Sequence, residues 1–400
     1  MIFEKHEDHC FRSCSGHSYV RKNWLGSIVF PFSALLQQSE FSDQIDVLER
    51  AHIFAKNCKA VFPNRRITTT VFNHDGIQIL VTRYIKALNP PQQLLDIFLR
   101  DSNATLDLIA HFVSLIPLMP DLDENDGFDI WMTSERCISL AIGNKEEHAI
   151  LLCNFFLYFG KKALVLLGTS ILEGRVAYVL THETDEYLLW NPLTGQCHRQ
   201  FDPFCPLQSV DSLFDDGNVW FNIQQNSTPM AVYFDYSKES FWKQLLPKNF
   251  QGTQVQSIQP EEIIYSDTNK SMVDDLKNRI ERTLKCKIME WRPKQPTRWN
   301  RQCTSILRHI LPKLELGTER FVSSEEESEF ERLLQFYWIA GFPIQMPYTN
   351  VQTVIDAMYQ TGIHSSEYPQ TEFALAVYIH PYPNNILSVW VYLASLTRRQ

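Results

Sequence analysis

Several residues in this chain have types and spacings that chemistry could use, and each has a plainer reading beside it. Cys153 and His182 could form a thiol–imidazole pair in which the ring takes the thiol proton. Cys153, however, falls in the middle of an apolar helical stretch, where a thiol is inert. His148, one helical turn into the same stretch, reads as a core histidine with its polar atoms satisfied. His6, His9, Cys10, Cys14 and His17 have metal-ligand character. A zinc site pairs two tight ligand pairs across a loop of about a dozen residues, and this run has no partner pair, so it reads as a polar tail and no metal is expected. Asp121, Asp123 and Asn125 resemble part of a calcium loop, but the Gly and Glu that an EF-hand needs are not at its spacing. The segment from Asp121 to Asp129 therefore reads as a solvated acidic loop. No cofactor is implied.

A further candidate is a surface. Between Lys277 and Lys313 stand eleven cations, opposed only by Glu281 and Glu290, with Trp291 and Trp299 interleaved. Arg forks bind carboxylates at two points and stack on indole faces, so Arg292, Arg298, Trp299 and Arg301 are the candidate binding residues. The plainer reading is a basic face that docks on the chain's own acidic run, Glu325, Glu326, Glu327, Glu329 and Glu331. A protein or anionic-lipid partner is the rival.

The elements that must position these residues follow from periodicity. Asp46 to Cys58 has apolar residues at helical spacing. Thr68 to Phe72, the turn Asn73–Gly76 and Ile77 to Thr82 form a hairpin pattern. Two helices are expected between Leu94 and Ile116, closed by Pro117 and Pro120. Gly143-Asn144-Lys145-Glu146-Glu147 opens a helix that runs to Tyr158 and stops at Gly160. Its acidic first turn suits the helix dipole, and its apolar circumference requires burial nearly all round. Ala163–Gly168, Val176–Leu180 and Tyr187–Trp190 read as core strands, ended by the turn Asn191-Pro192-Leu193-Thr194-Gly195. Trp24 to Phe32 reads as a short strand stopped by Pro31, after a His-rich, weakly ordered stretch from Met1 to Val20.

A buried helix followed by three strands ending in Asn-Pro-x-x-Gly resembles the core of the transglutaminase-like, papain-type superfamily. That resemblance implies an α+β fold, with the buried helix against an antiparallel sheet, helical additions and a C-terminal extension. It also implies where a catalytic Cys, His and Asp would stand. Matched residue by residue, the Cys position holds Lys145, the His position Val176 and the Asp position Asn191. An ammonium is no nucleophile and Val176 has no proton to move, so the resemblance implies a catalytically inactive member. Gly160-Lys161-Lys162-Ala163, Phe201-Asp202-Pro203-Phe204-Cys205-Pro206, Trp291-Arg292-Pro293, Thr297-Arg298-Trp299-Asn300-Arg301 and Ile379-His380-Pro381-Tyr382-Pro383 are similar to the coiled-coil and C2 domain-containing protein 2 family, to its B-type more than its A-type members. This second resemblance implies a scaffold role at the ciliary transition zone, in the tectonic-like or Meckel-syndrome complex. Its implied location is the cytoplasm, the cilium base and the cytoskeleton. Other transition-zone proteins are the implied partners, and a tubulin-related peptide in the ancestral cleft is a weaker reading. The domain expectation is a tail with the remnant of a C2 domain over 1–47 and a transglutaminase-like domain over 48–400. An active cysteine peptidase or transglutaminase, or a peptide groove derived from one, is the alternative.

Composition agrees with a globular protein: 44% hydrophobic and 21% charged residues. The net charge of -9 argues against a general nucleic-acid binder. No apolar run reaches the roughly 18 residues of a membrane-spanning helix, and the N-terminus lacks the pattern of a secretory signal. Nine cysteines, scattered and odd in number, suit a reducing compartment and an intracellular protein.

Overall fold

A computed structural model describes residues 2–6, 21–26, 41–97, 102–119, 129–183, 186–247, 256–315, 324–366 and 370–399. The chain divides into two compact units, Met1–Glu49 and Arg50–Gln400. In the first, β1 (Ile2–His6) pairs antiparallel with β2 (Arg21–Gly26). Ile2–His6 was expected within a weakly ordered tail; its pairing with Arg21–Gly26 makes it a strand instead. His9, Cys10, Cys14 and His17 lie outside the described residues, as do residues 27–32 of the expected strand.

Helix α1 (Phe41–Val61) leads into the second unit, where Ala51, Phe54 and Cys58 are buried. The hairpin of β3 (Thr70–Phe72) and β4 (Gln78–Leu80) turns on Asn73, whose Oδ1 accepts the Asp75 and Ile77 N–H groups. Helices α2 (Gln92–Leu95), α3 (Ser102–Ser114) and α4 (Ser134–Leu140) come next. Residues 120–128, most of the acidic loop, lie outside the described residues.

Helix α5 (Lys145–Tyr158) begins at a capping box. Asn144 Oδ1 accepts the Glu147 N–H at 2.8 Å and Glu147 Oε2 accepts the Asn144 N–H at 2.7 Å, satisfying two donors that a helix start leaves open. Gly160, at φ +68°, takes the left-handed position that ends it. From Glu146 to Phe156 every residue of α5 is buried. It lies on β5 (Ala163–Ser170) and β6 (Gly174–Glu183) and against α3. These strands belong to a seven-stranded antiparallel sheet with β7 (Glu186–Trp190), β8 (Cys197–Arg199), β9 (Leu207–Phe214), β10 (Val219–Asn222) and β11 (Trp242–Gln244), in the order β11-β10-β9-β5-β6-β7-β8. The buried helix against an antiparallel sheet is the α+β, papain/transglutaminase-like core that the sequence implies.

The C-terminal extension has its own sheet. Helix α6 (Lys270–Trp291), β12 (Arg298–Trp299), α7 (Arg301–Glu315), α8 (Ser324–Phe336), β13 (Tyr337–Pro347), α9 (Val351–Gln360), β14 (Glu372–Pro381) and β15 (Leu387–Arg398) follow in order. The sheet order is β12-β14-β15-β13, with only the β12–β14 pair parallel. Helices α6 and α9 cover one face through Leu276, Ile280, Leu284 and Met358. Helix α7 covers the other through Cys303, Ile306, Leu307 and Leu311.

Candidate functional site

The N-terminus of α5 is where a papain-type nucleophile would stand, because the positive end of a helix stabilises a thiolate. Here it holds Lys145, a cation against the positive pole. Its Nζ donates to the Glu173 carbonyl oxygen at 3.1 Å. The neighbouring Glu146 pairs with Arg66 Nη2 at 2.5 Å. Glu173 lies in the turn between β5 and β6, and its carboxylate Oε1 accepts from Asn191 Nδ2 at 3.4 Å. Lys145 and Asn191 therefore meet on one residue.

Val176 does not join them. It is 1% exposed and packs among Leu164, Leu166, Tyr178 and Leu180. The β6–β7 ladder pairs Val179 with Trp190, so the next residue inward on β6, Tyr178, faces Asn191. Asn191 Nδ2 donates to the Tyr178 hydroxyl at 3.0 Å. Burial pushes the Tyr178 phenol far up, with Glu173 adding to it. Tyr178 and Glu173 were not singled out from the sequence. The signal was available for Tyr178: Glu183 pairs with Glu186, leaving two residues between, and counting from that turn sets Tyr178 opposite Asn191. Asn191 also holds its own turn, its Oδ1 accepting the Leu193 N–H at 2.9 Å.

The other thiol and imidazole candidates are buried or apart. Cys153 is fully buried and its thiol is pushed up by burial, with Asp215 and Asp216 adding to it. His182 is exposed and stacks on Tyr187 at 4.5 Å. His148 is the expected core histidine: Nδ1 lies 2.6 Å from Asn144 O and Nε2 2.9 Å from Ile116 O. Burial pushes its pKa down, while those two carbonyls pull the other way. Cys137, Glu147 and His148 all crowd Gly143, where an added Cβ would lie 2.7 Å from Cys137 Sγ. Both His148 nitrogens lie on carbonyls, and burial pushes this thiol up, with Glu147 adding to it. Glu147, buried under the helix start, is pushed up to about 7 by burial despite the Asn144 and Met132 N–H groups it accepts.

The basic segment divides in two. Arg292 is buried: Nη1 donates to the His364 and Ser366 carbonyls at 2.6 and 2.7 Å, and the guanidinium sits 4.5 Å from the Phe373 ring centre. Its expected role at a binding surface is thereby corrected: it is an internal anchor, because two carbonyls of the short helical turn at 363–366 need donors. Trp299 is half-buried on the α6–α9 face, with Lys285 Nζ 5.7 Å from its ring centre. Among the described residues, acids within the segment itself take part of its charge. Glu281, from within α6, takes both Lys285 and Arg308 at 2.7 Å, and Glu290 takes Lys287 at 2.8 Å. The side chains of Glu325, Glu326 and Glu327 are outside the described residues, and Glu331 is exposed. Arg298 and Arg301 are exposed. Replacing both by Glu is expected to leave the melting temperature nearly unchanged, as surface substitutions do within about 0.5 kcal/mol. Arg292→Ala is expected to cost roughly 1–3 kcal/mol by orphaning two carbonyls. A thermal melt of the two variants side by side checks both; an equal loss would contradict the division.

A cluster that the sequence did not reveal joins the core to the extension. Glu315, at the end of α7, has a side chain with no exposed surface. It accepts from His111 Nε2 on α3 at 3.0 Å, from Tyr382 and Ser388 hydroxyls at 2.6 Å, and from Trp390 Nε1. His380 lies beside it, bonded through Nδ1 to the Tyr378 hydroxyl at 2.9 Å. The Ile379–Pro383 motif thus belongs to a buried polar joint.

A family model described as the CEP76 peptidase-like domain matches residues 129–245, and one described as the Centrosomal protein of 76 kDa C-terminal domain matches residues 269–398. The chain is 71% identical to Protein CC2D2B of Homo sapiens over 100% of this chain and 32% of that protein. It is 26% identical to Coiled-coil and C2 domain-containing protein 2A of Drosophila melanogaster, over 84% of this chain and 25% of that protein. The chain thus spans a third or less of these relatives. Among solved structures, Legionella pneumophila LapG is similar at a TM-score of 0.28 and 17% identity, over 32% of this chain and 74% of that one.

Proposed function

The chain belongs to the coiled-coil and C2 domain-containing protein 2 family and matches the CEP76 peptidase-like domain over residues 129–245, and from this we propose that it is a non-catalytic scaffold module of the ciliary transition zone. In this reading it supports cilium assembly within the tectonic-like, or Meckel-syndrome, complex, at the cytoplasmic base of the cilium and its cytoskeleton. Residues 48–400 form the interaction module and residues 1–47 carry the remnant of a C2 domain. Its partners are other transition-zone proteins; anionic lipid or a tubulin-related peptide would be rivals for the basic face. The family relation and the centrosomal name of the matching C-terminal domain support the location.

One observation carries the non-catalytic reading: the α5 N-terminus holds an ammonium tied to the Glu173 carbonyl, and Asn191 faces a phenol. Nucleophile and base act as a unit, so losing both leaves no partial activity to expect. Incubation with a Cys-directed activity probe and with amine-donor substrates is expected to give no fold-dependent labelling or transfer. Labelling of the native chain that Cys153→Ala or Cys137→Ala abolished would restore the enzyme reading.

A further inference from the structure

Helices α6 and α7 cover opposite faces of the extension sheet, and Arg308 of α7 reaches Glu281 of α6 around the sheet edge formed by β12. Glu281 is 7% exposed, and its Oε1 accepts Lys285 Nζ and Arg308 Nη2, both at 2.7 Å. Lys285 also lies over the Trp299 ring of β12. Over the Glu281–Arg308 pair runs a groove of about 360 Å³ lined by Asn278, Glu281, Arg282 and Arg308.

The charge at this groove is one-sided, since Arg282, Lys285 and Arg308 meet a single carboxylate. Arg282 Nε donates to the Asn278 carbonyl at 3.1 Å, which lays the side chain along α6 and leaves both Nη groups without a partner among the described residues. Arg308 engages Glu281 through Nη2 alone and its side chain is 47% exposed, so Nη1 and Nε also stand open. Arg301, two turns earlier on the same face of α7, is exposed and pairs with no acid among the described residues. The other acids are engaged or set back. Glu290 takes Lys287, and Glu372 accepts from Asn300 Nδ2 at 2.8 Å. Asp274 and Asp275 stand about two turns before Arg282 on α6 and pair with no cation among the described residues. Cations held this close repel one another, and an anion that enters between them relieves the repulsion.

Shape and surroundings choose among anions. A membrane-surface helix pairs its cations with an apolar face that enters the acyl boundary. Among the described residues from 277 to 315, Met289 is the one exposed large apolar side chain, and Arg282 and Arg308 line a groove rather than a flat face. The net charge of -9 disfavours nucleic acid. Arginine forks instead match carboxylates at two points. We propose that the α6–α7 groove docks an acidic segment of a partner protein. Its Asp or Glu carboxylates take the open edges of Arg282 and Arg308, and Arg301 extends the contact along α7. The inference rests on the scaffold reading above and names the surface and the partner chemistry within it.

The test selects a displayed library of random dodecapeptides on the folded chain and follows a synthesised winner by fluorescence anisotropy on three variants. Enriched peptides are expected to be rich in Asp and Glu. Arg282→Glu, at an exposed side chain, is expected to weaken the winner about tenfold or more, a difference of about 1.4 kcal/mol. Glu281→Gln removes the competing carboxylate and is expected to tighten binding severalfold, which a purely structural Glu281 would not do. Lys294→Glu, exposed and outside the groove lining, is expected to change binding little. Enrichment without acidic residues, equal binding to Arg282→Glu, or equal weakening by Lys294→Glu overturns the proposal. So does a folded Glu281→Gln that binds no more tightly; if that variant melts early, the other two decide. A lowered melting temperature in Arg282→Glu would give the groove to the chain's own acids and overturns the proposal as well. Wild type that sediments with phosphatidylserine-containing vesicles, where Arg282→Glu does not, would give it to a lipid surface and does the same. Tagged chains in ciliated cells separate the two readings. Wild type at the cilium base with Arg282→Glu dispersed supports the groove, and equal recruitment of both overturns the groove alone. A wild type that never reaches the cilium base overturns the scaffold reading, while the peptide result still judges the groove.

Discussion

Glu315→Ala is expected to lower the unfolding free energy by roughly 3–5 kcal/mol, the cost of breaking a buried, fully partnered charge network from one side. The substitution leaves the Tyr382, Ser388 and Trp390 donors facing a void and His111 without its acid. Glu315 ends α7, and its partners come from α3, from Tyr382 just after β14 and from β15, so the loss falls on the joint between the peptidase-like core and the C-terminal extension. Urea unfolding followed by tryptophan fluorescence measures it. A variant that unfolds at the wild-type midpoint would show that the joint is held by apolar packing alone.

The same carboxylate gives a pH signature with a definite sign. Burial pushes the Glu315 pKa up, but His111, Ser388 and Trp390 more than reverse this and hold it down at about 2, against an ordinary 4.5. A depressed carboxylate contributes stability that is complete above 4.5 and is lost as pH falls through 2. The difference corresponds to roughly 3 kcal/mol. Glu147 has the opposite sign in another window. Burial pushes it up from 4.5 to about 7, so it costs stability as pH rises from 4.5 through 7. Stability is therefore expected to fall on both sides of about pH 4.5. Glu315→Gln should flatten the acid limb and leave the other, and Glu147→Gln the reverse.

Trp190→Ala is expected to cost roughly 3–5 kcal/mol, the range for truncating a large buried aromatic. Trp190 is 4% exposed, meets Phe156 of α5 edge-on at 4.9 Å, and donates from Nε1 to Thr181 Oγ1 at 3.0 Å. It ends β7 just before the Asn191 turn, so its loss loosens helix, strand and turn together. Gly195 closes that turn at φ +72°, and an added Cβ would come within 3.1 Å of the His111 backbone. Gly195→Ala should therefore destabilise as well, by strain rather than by a cavity. A melting temperature for Trp190→Ala that matched wild type would mean that β7 is no anchor; Tyr158→Ala, at an exposed ring, is the control expected to change little.

What the sequence determined by itself was local. The capping box at Asn144 and Glu147, the apolar circumference of α5, the stop at Gly160 and the Asn191–Gly195 turn all arise from neighbours a few residues apart. The residue types at Lys145, Val176 and Asn191 also need no coordinates to be read. Tertiary structure decided which distant groups meet. Arg292 and Arg298 are six positions apart in one basic segment, yet one is buried on the His364 and Ser366 carbonyls and the other is exposed. Glu315 gathers His111, Tyr382, Ser388 and Trp390 across sequence separations of up to 204 residues. Periodicity says that a face is buried but not what it is buried against. The pairing of charges depends on that second choice, because a buried polar group takes whichever partner the packed faces bring within hydrogen-bond reach.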